Sequence, residues 1–213
     1  MSKKMMLLAL AVVSAAALAL PGVASAQEAH IEGPTSFTGT GSAGTLAATG
    51  EPTITCESTD VTNGRISAGG TTGDLGLDTT GCHTTVFGFT AKCRTTGSAL
   101  DNTILSSGTF HVITVNNKPG ILVTATPTTV VCAGISTIAV SGNIIGTITS
   151  PACGVPSTTM TVVFSATGAV QNHKSYTGVN YNLTAQTSGG SALEAGLTST
   201  ATLNSAAATI SCT

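Results

Sequence analysis

Apolar and polar residues alternate with a period of two in several stretches of this chain, and nothing after residue 26 repeats convincingly at the period of a helix. That pattern restricts most of the chain to β-structure. In 179–186, Val179, Tyr181, Leu183 and Ala185 fall on one face. In 158–166 the apolar set is Met160, Val162, Phe164 and Ala166, and in 85–93 it is Phe87, Phe89, Ala91 and Cys93. Further strands are expected at 36–40, 44–49, 52–57, 60–67, 73–78, 108–115, 120–126, 128–133, 136–141, 143–149, 196–203 and 207–212. Gly, Pro, Asn or Asp punctuates most of the gaps. Many short strands at close spacing predict an all-β fold, an antiparallel β-sandwich. Ser191–Leu197 is the one weak helix candidate.

Composition supports this reading. The chain holds 40 Thr and no Trp, with only five Phe and two Tyr. Thr is β-branched and polar, so it can cover the wet side of a sheet without charge. The core must then come from Val, Ile, Leu and Ala, and should be thin. Apolar content is ample and net charge small, the reverse of a disordered chain.

The first 26 residues read as a signal peptide. Lys3 and Lys4 precede the apolar stretch Met5–Leu20, Pro21-Gly22 breaks it, and Ala24-Ser25-Ala26 forms a small-x-small cleavage site. The stretch is shorter than the roughly 18 apolar residues of a spanning helix. Residues 27–213 are expected as the secreted domain, extracellular or at the cell envelope, with no membrane association after cleavage. Five cationic and nine acidic residues remain after position 26, a balance of −4. Nothing there would neutralise a phosphate backbone, so nucleic acid is not an expected partner.

All six cysteines, Cys56, Cys82, Cys93, Cys132, Cys153 and Cys212, follow the leader. An even number in an exported chain predicts three disulfides. The ten residues between Cys82 and Cys93 suit a hairpin or tight loop, which favours Cys82–Cys93 as a local pair. A faint internal repeat points elsewhere. Residues 52–82 and 128–153 each begin with a Thr-rich strand ending in Cys and finish at a second Cys. Two similar halves, 52–126 and 127–205, would pair Cys56 with Cys82 and Cys132 with Cys153, leaving Cys93 for Cys212. Alternation places Ile54 with Cys56 and Ile210 with Cys212 on apolar faces, so Cys56 and Cys212 are expected inward.

Sites of chemistry are hard to find. Gly39-Thr40-Gly41-Ser42-Ala43-Gly44 matches the dinucleotide fingerprint, but that chemistry needs a helix to follow, and a glycine-rich turn is expected instead. Leu77-Asp78-Thr79-Thr80-Gly81 departs from the Asp-Thr-Gly of aspartic proteases by an extra Thr and has no second copy. His30, His83, His111 and His173 form no metal-binding pair. Asp74 and Asp78 share a strand face without the spacing of a calcium loop. No catalytic residue, cofactor or metal ligand is assigned.

The segments GEPTITCES, GLDTTGCHTTVFGFTAKC, KPGILVTAT, VVCAGISTIAVSGNIIGTITSPACG and QNHKSYTGVNYNLTAQ together resemble a family of uncharacterised, secreted, β-rich proteins of soil actinobacteria, Thr/Gly-rich with six Cys. The resemblance implies secretion and a β-rich fold, and supplies no catalytic residues. The composition is also similar to that of small sandwich apoproteins that carry enediyne antibiotics, without a motif in common.

The leading expectation is therefore a non-catalytic exported protein with a structural, adhesive or binding role, its partner a surface glycan or protein. A second reading, an extracellular carrier of a small apolar molecule, requires a cavity lined by Val, Ile and Phe. A third, a secreted hydrolase, requires a cleft where a His meets a Ser or an acidic pair.

Overall fold

The structure is a computed structural model, and it describes residues 29–212. The leader expected at 1–26 lies outside the described residues. Among those described there is no helix, and every ladder between strands is antiparallel.

A short strand, β1 (His30–Glu32), precedes eight staves that follow one another around the molecule in chain order. The first is β2 (Ser36–Gly41) continued by β3 (Gly44–Ala48), and the second is β4 (Ile54–Cys56) continued by β5 (Ser58–Ile66). The third joins β6 (Thr72–Thr80) to β7 (His83–Val86), and the fourth joins β8 (Phe89–Thr95) to β9 (Ile104–Val115). The fifth and sixth are the long strands β10 (Lys118–Cys132) and β11 (Ser136–Ser150). The seventh begins as β12 (Ser157–Phe164). It leaves the wall through two small hairpins, β13 (Ala166–Thr167) with β14 (Val170–Gln171) and β15 (Ser175–Tyr176) with β16 (Val179–Asn180), and resumes as β17 (Leu183–Thr187). The eighth is β18 (Leu193–Ser211).

Each stave pairs with the next, and β18 returns to pair with β2 and β3. In place of two facing sheets with separate edges, the ladder runs as a closed antiparallel circuit. Closure of this kind removes free strand edges. Residues 52–126 and 127–205 both contribute staves to it.

Alternation puts an aliphatic interior inside this wall: Val61, Val112, Ile121, Val123, Ile144, Val162, Leu183 and Ile210 are buried. Exposed wall positions such as Thr38, Thr40, Thr62 and Thr124 are polar. Three of the five Phe lie inside against glycines. A methyl at Gly64 would sit 2.4 Å from the Phe37 ring, one at Gly73 would sit 2.5 Å from Phe110, and one at Gly146 would sit 2.7 Å from Phe164. Phe37 and Phe110 meet edge to face with centroids 5.7 Å apart. Near them β1 crosses one end of the wall, pairing with the end of β18 and donating Ile31 N–H to the Gly70 carbonyl at 2.9 Å.

The excursion within the seventh stave covers a second, external cluster. Ile113, Leu122 and Ile145 point outward and are buried, with Tyr176 and Tyr181 packed against them. Gln171 fixes the excursion to the wall. In the orientation that satisfies both ends of its amide, Nε2 donates to the Ser165 carbonyl (3.0 Å) and Oε1 accepts from Leu197 N–H (2.6 Å). Leu197 lies beyond the residues of β18 that β12 and β17 reach, so a side chain substitutes for the missing ladder partner. Lys174 also forms an ion pair with Glu194 on β18.

The structure departs from the sequence reading at particular places. The stretch 85–93 is interrupted by a two-residue turn at Phe87-Gly88, with φ of 50° and 82°, so Phe87 and Phe89 are exposed while Ala91 and Cys93 are buried. Expected breaks at Pro127 and Gly142 are bends inside continuous strands. Ser191–Leu197 enters β18 rather than a helix, because its residues pair with β17 and β3.

All six cysteines form disulfides: Cys56–Cys82, Cys93–Cys132 and Cys153–Cys212. The local pair Cys82–Cys93 does not form, and neither do Cys132–Cys153 and Cys93–Cys212. The intervening residues do make a hairpin, β7–β8. Cys93, however, lies directly opposite Cys132, and Ala133 N–H donates to Lys92 C=O beside them, which marks a non-hydrogen-bonded pair. Such pairs bring Cβ atoms closest, and the Cα–Cα distance here is 4.0 Å. Cys56 and Cys82 extend the β4–β7 register in the same way, also at 4.0 Å. Of the two cysteines expected inward, Cys56 is buried and Cys212 is half-buried.

Candidate functional site

The interior is not completely filled. A cavity of about 190 Å³ lies between the opposed walls, lined by Leu46, Val61, Leu77, Val123, Ile144 and Leu197 among others. A smaller one of about 90 Å³ lies toward β1, beneath Ile31, Phe37, Phe110 and Met160. Val61, Leu75, Leu77, Val123, Ile144 and Ala201 line both. Small inward residues explain the space: Gly44, Ala125, Ser106, Ser199 and Ala201 stand where larger side chains would meet.

Each end of the cavity is blocked. On one side Cys56 and Ile54 line it, and the buried row Cys56, Cys82, Cys93, Cys132 spans four strands there. Thr84 is buried beside this row and donates Oγ1 to the Thr53 carbonyl at 2.8 Å. Beyond the row, four turns enclose an open bowl of about 710 Å³ lined by Glu51, Val86, Cys132, Gly134 and Ser188 among others. At the opposite end the Phe37–Phe110 pair and β1 close over the smaller cavity.

The ladder is interrupted laterally in two places: in the seventh stave, where the excursion lies over the gap with Ala166 and Gly168 against Gly196, and at a seam between β9 and β10. Ladder bonding between β9 and β10 runs from Lys118–Val115 to Ala125–Gly108 and stops. It resumes between β10 and β8 at Val130–Thr95. In between, Ile104–Ser107 and Thr126–Thr129 do not pair with each other. Thr95 Oγ1 accepts from Leu105 N–H at 2.8 Å and donates to its carbonyl at 3.0 Å, and Thr96 N–H donates to the Thr129 carbonyl at 2.8 Å, so the unbonded part is Ser106–Ser107 against Thr126–Thr128, where Pro127 has no N–H to give. One side-chain bond spans the seam, Ser107 Oγ donating to Thr126 Oγ1 at 3.2 Å. Ser107 and Thr126 are exposed, yet both line the larger cavity together with Ser106 and Thr128.

The β7–β8 tip is the other unusual surface. Phe87 is 95% exposed and Phe89 77% exposed, on either side of Gly88. A bulky residue at φ 50° is conformationally costly, so this turn combines backbone strain with exposed aromatic area.

The motifs singled out in the sequence do not converge. Gly39–Gly44 lies along β2 and β3 with no helix after it. In the β5–β6 ladder Asp74 faces Arg65 and Asp78 faces Asp60. His30 Nε2 lies 3.0 Å from Glu32 Oε1, His83 Nδ1 lies 3.0 Å from the Gly81 carbonyl, and His111 meets Tyr176 edge-on. His173 lies in the excursion. None of these named contacts joins a His to a Ser hydroxyl. Among the described residues no group of three or more His, Cys, Asp or Glu could hold a metal ion, and no helix is long and apolar enough to cross a membrane. Compared with protein-family models, curated proteins and solved structures, the chain matches none.

The seam residues Ser106, Ser107, Thr126 and Thr128 were not among the sequence candidates. The only signal for them is Pro127 inside an otherwise regular Thr-rich strand.

Proposed function

We propose that this is a non-catalytic exported protein with a binding role, and that its ligand is a small apolar molecule held inside the wall. The observation that carries the reading is the interior cavity of about 190 Å³, walled mainly by Val, Ile, Leu and Phe. An apolar cavity of about 150 Å³ accepts a molecule the size of benzene, so a one- or two-ring hydrocarbon skeleton fits the available volume. Ligand sites of this kind occur inside small closed β-walls. Three disulfides fit an oxidising compartment outside the cytoplasm, in keeping with the leader. The closed circuit is read as a flattened barrel whose opposite walls pack like a sandwich.

A surface role involving a glycan or another protein is the second reading, favoured by the exposed Phe87-Gly88-Phe89 tip. The test is mass spectrometry of the purified, undenatured protein, together with titration by naphthalene. A co-purifying apolar compound, or saturable naphthalene binding that Ala201→Leu abolishes, is the expected result. No bound compound and no saturable uptake would overturn the carrier reading and leave the surface role.

A further inference from the structure

We propose that the seam between Ser106–Ser107 and Thr126–Thr128 is the portal through which a small apolar ligand reaches the interior. The inference rests on the cavity reading above and adds the route. The disulfide row stands between the cavity and the open bowl, and β1 with the Phe37–Phe110 pair covers the other end. Elsewhere along these strands, the ladders joining β9 to β6 and β10 to β11 flank the cavity. Only between β9 and β10 do exposed residues, Ser107 and Thr126, also line it.

The chemistry of the seam suits passage. Opening it between Ser106–Ser107 and Thr126–Thr128 breaks one hydroxyl–hydroxyl bond and no ladder bond, while the Thr95–Leu105 and Thr96–Thr129 bonds hold its lower edge. Pro127 keeps the β10 edge from pairing with β9, since its ring nitrogen carries no hydrogen. Ser106 and Thr128 place hydroxyls along the inner lip, where a ligand's single polar group could exchange water for a protein partner. The preferred ligand class is therefore a compact apolar skeleton carrying one hydroxyl or carbonyl.

The test is stopped-flow uptake of naphthalene by the oxidised mature protein, read by naphthalene fluorescence. The absence of Trp and the presence of only two Tyr keep protein emission low. In the variant Ser107→Cys/Thr126→Cys, a disulfide would clamp the seam, and its formation is verified by mass. Expected are association and dissociation rates at least tenfold slower than wild type, with Kd changed less than twofold. The variant Ser107→Ala/Thr126→Ala removes the one bond across the seam and is expected to take up naphthalene at least threefold faster. It also serves if the clamped variant fails to fold. Saturable binding to wild type with rates indifferent to both variants would overturn the portal and leave the cavity reading intact. Absence of saturable binding to wild type would overturn both.

Discussion

Cys82 and Cys93 face each other at the base of the β7–β8 hairpin, joined by a backbone hydrogen bond of 2.9 Å from Cys93 N–H to the Cys82 carbonyl, yet each is bridged away from the other. The two bridges therefore tie the hairpin to both of its neighbours, β4 on one side and β10 on the other. Four strands are held in one transverse row by sulfur, backbone bond and sulfur. A Cys82–Cys93 bridge would have spanned a hairpin that its own turn already holds.

This pairing is directly testable. Peptide mapping without reduction should recover Cys56–Cys82, Cys93–Cys132 and Cys153–Cys212. A Cys82–Cys93 peptide would contradict the structure. The loops closed span 26, 39 and 59 residues. Chain-entropy reasoning gives the three bridges about 3.5 to 4.3 kcal/mol each, rising with loop length. Cys93→Ser/Cys132→Ser should accordingly lower stability by about 2–4 kcal/mol in denaturant titration.

Gly64 and Phe37 should behave as one unit. Gly64→Ala places a methyl 2.4 Å from a ring held in the interior. The expected cost is about 1–3 kcal/mol, the usual range for overpacking. Phe37→Leu should relieve part of it, so a double-mutant cycle in urea should show coupling above about 0.5 kcal/mol. Strict additivity would mean that the ring is free to move aside.

Gln171 predicts a local rather than a global effect. Gln171→Leu removes the acceptor of the Leu197 N–H and the donor to the Ser165 carbonyl. Amide exchange at Leu197 should accelerate by at least tenfold, with a stability loss of about 1–3 kcal/mol. Unchanged exchange at Leu197 would show that another group satisfies that amide.

Phe87 sits where turn chemistry favours Asn. Two-residue hairpin turns with positive φ at both positions prefer Asn-Gly, and the observed angles are 50° and 82°. Phe87→Asn should raise the melting midpoint, by about 0.5–1 kcal/mol in free energy. If the second functional reading holds, the same variant will lose adhesion in a glycan or protein array. A destabilised Phe87→Asn would show that the ring has a packing partner.

Much of the local structure was legible because burial on one side of a wall imposes alternation. Met160 and Val162 are buried as their spacing requires, and so are Leu183 and Ala185. Val179 and Tyr181 share that spacing but lie before the wall resumes; Tyr181 packs on the outside instead. Strand ends were less legible. Pro127 and Gly142 have the composition of turns, but a bulge between Ala125 and Thr128 accommodates Pro127, and Gly142 stays in register with Ala125 and Leu183 at a φ of 108°, so neither reverses the chain. The meeting of β18 with β2 and β3 has no signature in any window, because it joins residues such as Gly41 and Ala201 across most of the sequence. The cavity was illegible for the same reason: a void depends on which small residues face one another after closure.

The return of β18 to the first stave also bears on how the molecule is made. Its 19 residues complete the wall and are synthesised after every other stave. Until they arrive, β2 and β3 have an unclaimed margin that no local hairpin can satisfy. Such distant pairing is slow, so the folding polypeptide spends time as an open ribbon. That ribbon carries two unpaired margins that the finished circuit hides, so its protection from other chains bears on how much folded protein is recovered.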